Sequence, residues 1–270
     1  MRRALTLIAV AVVLAGNAAF AQTYPLAAPA PRTTDAASLR ALAVSREVHE
    51  RFMRGVEGLG RNDWTLASAE FARIIELNPG EPKGSTARYD LALAEVGLQH
   101  YDRAAGLLEA ALRLDPGFAA AAANLVNVHL LRNDLAQARA AADRFVAIAP
   151  QAARALYARG LIALRSGDTA TALADFRALL NGNPAYAVAH YDLALAEIQG
   201  GRLAEAEREL DQALTLAPSF ARARITLGTI LLREGRRGDA RLAFDEASRD
   251  AQDPALRNLA LSLRDQLDTP

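Results

Sequence analysis

Small and bulky apolar positions recur along this chain at helical spacing, and the recurrence itself repeats. Prolines fall at Pro79, Pro116, Pro150, Pro184 and Pro218, at intervals of 37, 34, 34 and 34 residues. Twelve positions before each stands an alanine (Ala67, Ala104, Ala138, Ala172 and Ala206), and extending the register adds Ala240. Four residues after the alanine comes Phe71, Leu108, Ala142, Phe176, Leu210 or Phe244; twelve before it comes Gly55, Ala92, Val126, Gly160, Ala194 or Gly228. Two helices that cross closely need a small side chain where their axes approach and a bulky one a turn later to fill the groove. The period therefore predicts a stack of six helical hairpins, near 48–81, 85–118, 119–152, 153–186, 187–220 and 221–252.

In the third copy Val126 and Ala142 break the small and large pattern, and Phe145 stands three residues on. This reads as a volume exchange within one layer, since cores tolerate swaps that keep total volume. Within each hairpin a left-handed residue must stop the first helix, and Asn62, Asn133, Gly167, Gly201 and Gly235 are of the types that tolerate that conformation. The second copy offers only Gln99-His100-Tyr101 there. The prolines close the second helix and set the angle into the next hairpin. Asp35 to Arg46 extends or precedes the first helix, while Leu256, Leu259, Leu261, Leu263 and Leu267 predict a capping helix at about 255–267. An end unit has only one neighbour and keeps a polar face.

Spacing, alanine, bulky residue and proline together resemble the tetratricopeptide repeat family over roughly 205 residues, from near Val48 to Gln252. The resemblance implies an all-α fold: a right-handed α-solenoid of about six tetratricopeptide-type hairpins with a C-terminal capping helix, occupying 35–268. It also implies a concave face lined mainly by the first helix of each hairpin. The family's usual Trp early in that helix is replaced by Arg51, Arg88, Ala122, Leu156, His190 and Arg224.

Ahead of the repeats, Met1-Arg2-Arg3 followed by the apolar stretch Ala4 to Gly16 and then Ala19-Phe20-Ala21 reads as a signal peptide over 1–21, cleaved after Ala21. The stretch is too short to span a bilayer comfortably, so no membrane span is expected after cleavage; the alternative is an uncleaved membrane anchor. Residues 22–34, with three prolines and no periodic apolar face, form a Pro-rich flexible tether. A periplasmic or secreted location follows. The chain has no cysteine, so packing alone must hold the stack in an oxidising compartment.

Charge balances at 31 basic against 31 acidic residues, which leaves no basic stripe for nucleic acid. His49, His100, His129 and His190 lie in separate repeats without metal-ligand spacing. No nucleophile elbow, phosphate loop or zinc-protease motif occurs, so neither enzyme nor cofactor is expected. Most carboxylates, as in Glu205-Ala206-Glu207-Arg208-Glu209, sit where a solvated helical face would put them.

A binding face on the first helices should use positions i, i+3, i+7 and i+10, which in the fourth copy are Arg154, Tyr157, Leu161 and Leu164. The equivalents of Tyr157 are Phe52, Tyr89, Ala123, Tyr191 and Ile225, a discontinuous aromatic ladder. Those of Leu161 are Val56, Leu93, Asn127, Leu195 and Thr229; Asn124 and Asn127 could bond an extended main chain, and Arg154 and Arg222 could meet an anion. Tyrosine offers a broad ring and a hydratable hydroxyl, qualities that serve an interface and a core alike. The second and fifth copies share YDLALAE, with Asp90 and Asp192 either surface caps or groove acids. The expected function is a periplasmic adaptor or assembly factor that binds a peptide or helix of an envelope partner. The alternatives are a self-associating scaffold and an accessory subunit of a membrane-bound enzyme or secretion complex.

Overall fold

A computed structural model of the chain describes residues 36–77 and 84–267. The leader at 1–21, the tether at 22–34, and Pro79 lie outside the described residues. Among the described residues there are thirteen helices and no strand. They divide into two compact units, Met1–Ala149 and Pro150–Pro270.

The first unit holds three hairpins: α1 (Ala36–Gly60) with α2 (Trp64–Leu77), α3 (Gly84–Gly97) with α4 (Tyr101–Leu114), and α5 (Ala119–Leu131) with α6 (Leu135–Ile148). In the second are α7 (Ala153–Ser166) with α8 (Thr169–Gly182), α9 (Ala187–Gln199) with α10 (Leu203–Leu216), and α11 (Ala221–Arg233) with α12 (Arg237–Asp250). The capping helix α13 (Pro254–Gln266) closes the second unit. We call the first helix of each hairpin A and the second B. Of the stretch from Asp35 to Arg46, the residues from Ala36 onward form the first turns of α1.

Local chemistry sets the helix ends. The residue after each A helix that turns left-handed is Asn62, Gln99, Asn133, Gly167, Gly201 or Gly235, with φ between 59° and 80°. Gln99 thus does in the second copy what asparagine or glycine does elsewhere. The B helices of the first, third and fourth hairpins start on Asp63, Asp134 and Asp168, whose carboxylates accept from the backbone N–H three residues on. Beyond the described B helices, Pro116, Pro150, Pro184 and Pro218 each follow the last helical residue by two positions. Pro254 opens α13 instead, with Asp253 as its cap.

Within each hairpin the core is a matched pair. All six register alanines are 0 % exposed. A Cβ built on Gly55 would lie 2.7 Å from Phe71, one on Gly160 2.8 Å from Phe176, and one on Gly228 2.6 Å from Phe244. Where the A helix carries alanine, at Ala92 and Ala194, the B helix carries leucine, Leu108 and Leu210; where it carries Val126, the B helix carries Ala142, and all six are buried. Size on one helix is thus traded against size on the other, sixteen residues away. In the third hairpin the trade lies between Val126 and Ala142 themselves, and Phe145 on α6 is buried as well. At the end of the second unit, Leu256, Leu263 and Leu267 pack with Ala260 against Phe244 and its neighbours, whereas Leu259 faces solvent.

Buried carboxylates add polar joints between hairpins. Glu95 on α3, fully buried, accepts from Ser68 Oγ of α2 at 2.6 Å, from His100 Nδ1 at 2.8 Å and from Arg103 of α4 at 3.1 Å. Its counterpart Glu197 on α9 takes Arg177 of α8 at 2.6 Å and Arg202 at the start of α10. A buried charge held this way is strongly coupled to its partners, because removing one strands the other.

Candidate functional site

The expected binding residues fall on A helices of both units. In the first unit Tyr89, Leu93 and Asn124 are buried and Asn127 is half-buried. The Tyr89 ring lies 5.0 Å from that of Phe118, at the foot of the next hairpin. Asn124 Nδ2 donates to the Tyr89 hydroxyl at 3.0 Å and to the Ala120 carbonyl at 3.1 Å, so that both polar groups meet within the protein. Asn127 is the member of this group that reaches the surface.

The second unit is more open. Arg154 and Arg222 are exposed; Tyr157, Leu161, Tyr191, Leu195 and Thr229 are half-buried; Ile225 is buried. Each tyrosine again leans on the aromatic that begins the following hairpin, Tyr157 on Tyr186 at 5.6 Å and Tyr191 on Phe220 at 5.0 Å. These rings join hairpins with one side and keep the other toward the A-helix face. Thr229 turns its hydroxyl back to the Ile225 carbonyl at 2.9 Å.

Asp90 and Asp192 sit one residue after the tyrosines of their helices, and their surroundings differ. The Tyr157 hydroxyl donates to Asp192 Oδ2 at 2.9 Å. Burial pushes the Asp192 carboxyl up to about 6, against the opposing pull of the Tyr157 hydrogen bond and nearby Arg165. Burial, together with the same contact, raises the Tyr157 hydroxyl above the ordinary tyrosine range. Asp90 is 5 % exposed and its Oδ2 has no hydrogen-bond partner among the described residues. Burial alone pushes its carboxyl up to about 8. The register explains the difference, because the place that Tyr157 fills in the hairpin before Asp192 is filled before Asp90 by Phe52, which has no hydroxyl. Both acids are therefore interior groups behind the face rather than surface caps.

Two residues on this face escaped the sequence reading. Arg165 lies near enough to Tyr157 and Asp192 to bias both electrostatically, and Arg233 holds the same register position two hairpins on. The stripe i, i+3, i+7, i+10 ends at Leu164, one residue short of Arg165. Three of the four histidines take protein partners: His100 meets Glu95, His190 meets Glu209 at 2.6 Å, and His129, whose pKa is lowered first by burial and then by Arg132, lies beside that arginine. Among the described residues no cluster of His, Asp and Glu could hold a metal ion, and no helix is long and apolar enough to cross a membrane.

One tetratricopeptide repeat family model matches residues 89–153, 127–189 and 157–219, and a second matches 199–263. No curated protein matches the chain. Among solved structures, YrrB, a TPR protein with an unusual peptide-binding site, superposes with a TM-score of 0.61 at 19% identity over 71% of this chain and 97% of its own. The pilF protein of Pseudomonas aeruginosa gives 0.57 at 20% identity over 69% and 85% of the two chains. MamA from Desulfovibrio magneticus RS-1 gives 0.56 at 18% identity over 70% and 99%. Identities this low carry the fold, an all-α helical solenoid, a fold of protein–protein interaction modules that are typically not enzymes. The chain belongs to the tetratricopeptide repeat family.

Proposed function

We propose that this chain is a non-enzymatic adaptor or assembly factor that holds a peptide or helix of an envelope partner on its A-helix face, after export to the periplasm and removal of residues 1–21. The observation that carries the reading is the half-exposed ladder of Tyr157, Leu161, Tyr191 and Leu195 in the second unit. Aromatic and aliphatic side chains held rigid from behind lose little rotamer freedom on binding, which is what an interface anchor needs. The peptide-binding site of the structurally similar YrrB adds support. Tyr89, Leu93 and Asn124 enter this reading as the frame of the first unit, with Asn127 as its surface contact.

The test is affinity capture from envelope extract with the wild-type chain and a Leu161→Ala, Tyr191→Ala variant of unchanged helicity. A partner retained by the first and lost by the second supports the reading; identical capture by both overturns it. N-terminal sequencing of the exported protein should begin at Gln22. Self-association is the second reading, favoured by Leu242 and Leu259, which stand 56% and 46% exposed on the last hairpin and the cap. Sedimentation across a range of concentrations separates the two.

A further inference from the structure

Five acidic side chains are buried among the described residues, and four of them are met by donors. Glu95 takes Ser68, His100 and Arg103; Asp175 takes Arg159; Glu197 takes Arg177 and Arg202; Asp192 takes the Tyr157 hydroxyl. Asp90, 5 % exposed, is the fifth, and it receives no hydrogen bond or ion pair from any described residue. Buried polar groups in folded proteins are nearly always paired, so an unpaired one asks what it is kept for.

The repeat register identifies what is missing. Beside Asp192 the preceding hairpin supplies two groups, the Tyr157 hydroxyl and the positive charge of Arg165. The same two positions before Asp90 are Phe52 and Gly60 on α1. A hydroxyl and a cation are thus absent together, and the place of the cation is open: Gly60 is exposed, and a Cβ built on it would meet nothing within 4 Å. Burial is the one influence on the Asp90 proton, so no charged group of α1, α2, α4 or α5 faces it. On the surrounding A-helix face Met53 is exposed and Val56, Thr86, Asn127 and Leu131 are half-buried, none of them charged. A cation arriving on this face would find Asp90 unclaimed.

We propose that the first unit binds a peptide through one basic side chain, arginine or lysine, which enters over Gly60 and gives Asp90 the cation that Arg165 gives Asp192, while apolar neighbours in the peptide rest on Met53 and Val56. This rests on the reading that the A-helix face binds peptide, and adds the chemistry of the partner. Both basic side chains carry their charge on an apolar stem, which suits passage across such a face, and both bond strongly to a carboxylate. Burial keeps the free protein's carboxyl protonated up to about pH 8. The arriving cation pairs with the carboxylate and one proton leaves to solvent, so below about pH 8 affinity rises with pH.

The experiment is selection of a random phage-displayed peptide library on the immobilised full chain, then titration calorimetry of the selected peptides against wild type and two variants of unchanged helicity. One variant is Asp90→Asn; the other, Phe52→Tyr with Gly60→Arg, rebuilds beside Asp90 the groups that serve Asp192. Wild type should enrich peptides with an Arg or Lys among apolar residues, and their synthetic forms should bind either variant roughly ten-fold more weakly. Titration at about pH 6 and 7 in buffers of different ionisation enthalpy should show release of close to one proton by wild type and none by Asp90→Asn. The Asp90→Asn variant keeps His49, the other titratable residue on this face, so the difference belongs to Asp90. Enrichment of peptides without a basic residue, or equal binding by Asp90→Asn, would overturn the proposal while leaving a peptide face. Binding without proton release would mark a neutral donor at Asp90 and overturn the basic preference. No enrichment by wild type would remove the peptide face and the proposal with it.

Discussion

Replacing Asp90 by asparagine should change how stability depends on pH more than it changes the structure. The carboxyl is buried, lacks a hydrogen-bond partner for Oδ2 among the described residues, and has its pKa pushed from 3.8 up to about 8 by burial. Below pH 3.8 the folded and unfolded chains both carry the proton and the burial penalty is absent. Between 3.8 and about 8 the unfolded chain ionises while the folded one keeps its proton, so stability falls as pH rises. The one-proton limit is about 1.4 kcal/mol per pH unit, or about 4 kcal/mol accumulated by neutral pH. Above about 8 the loss levels off. An asparagine side chain does not titrate, so the difference between the two proteins isolates this one group from Asp192 and the other carboxylates. Urea unfolding followed by the fluorescence of Trp64, which lies in the same unit, supplies the measurement at about pH 4, 5, 6 and 7, the window of the shift. The asparagine variant should gain on wild type steadily across that range. Parallel pH profiles would refute the account of Asp90 as a buried neutral acid.

Other substitutions test the packing. Gly160→Ala places a methyl group against Phe176 and should destabilise the second unit by about 1–3 kcal/mol, whereas adding Phe176→Leu recreates the alanine and leucine pair of the second and fifth hairpins and should restore most of the loss in urea unfolding. Gly97→Ala drives a Cβ to within 2.2 Å of the Trp64 ring and should lower the stability of the first unit by about 1–3 kcal/mol, with a shifted Trp64 emission as an independent readout. Gln99→Gly relieves a left-handed backbone at φ 64° and should raise the melting temperature, through a gain of about 0.5–1 kcal/mol.

The parts of this molecule that could be read from the chain are those whose partners lie within one hairpin. Ala104, Leu108 and Ala92 belong to one local crossing, so spacing alone exposes their roles. Even the turn at Gln99 stands out in the sequence as the exception it proves to be. Buried polar chemistry is harder to read because part of its partner set comes from the preceding hairpin. Glu95 and Glu197 look like members of a solvated face until Ser68 and Arg177 are seen beside them. Asp90 looks like Asp192 until the missing hydroxyl at Phe52 separates them. On the candidate face, Tyr89 and Tyr157 share a register, yet the first is buried and the second half-exposed, a difference set by neighbouring side chains that periodicity does not weigh. Arg165 and Arg233 were out of reach because a stripe only one residue narrower stops before them.

The paired sizes inside the hairpins bear on how such a chain can change over generations. Glycine with phenylalanine, alanine with leucine, and valine with alanine each settle the balance of volume between A and B helices within a single copy. A copy duplicated, lost or moved as a cassette carries its own balance of size with it, and only the joints to its neighbours, such as Glu95 with Ser68, have to be made anew. Drift should then appear as joint changes sixteen positions apart, while copy number varies on its own. The length of the array becomes an inherited trait separable from its packing chemistry.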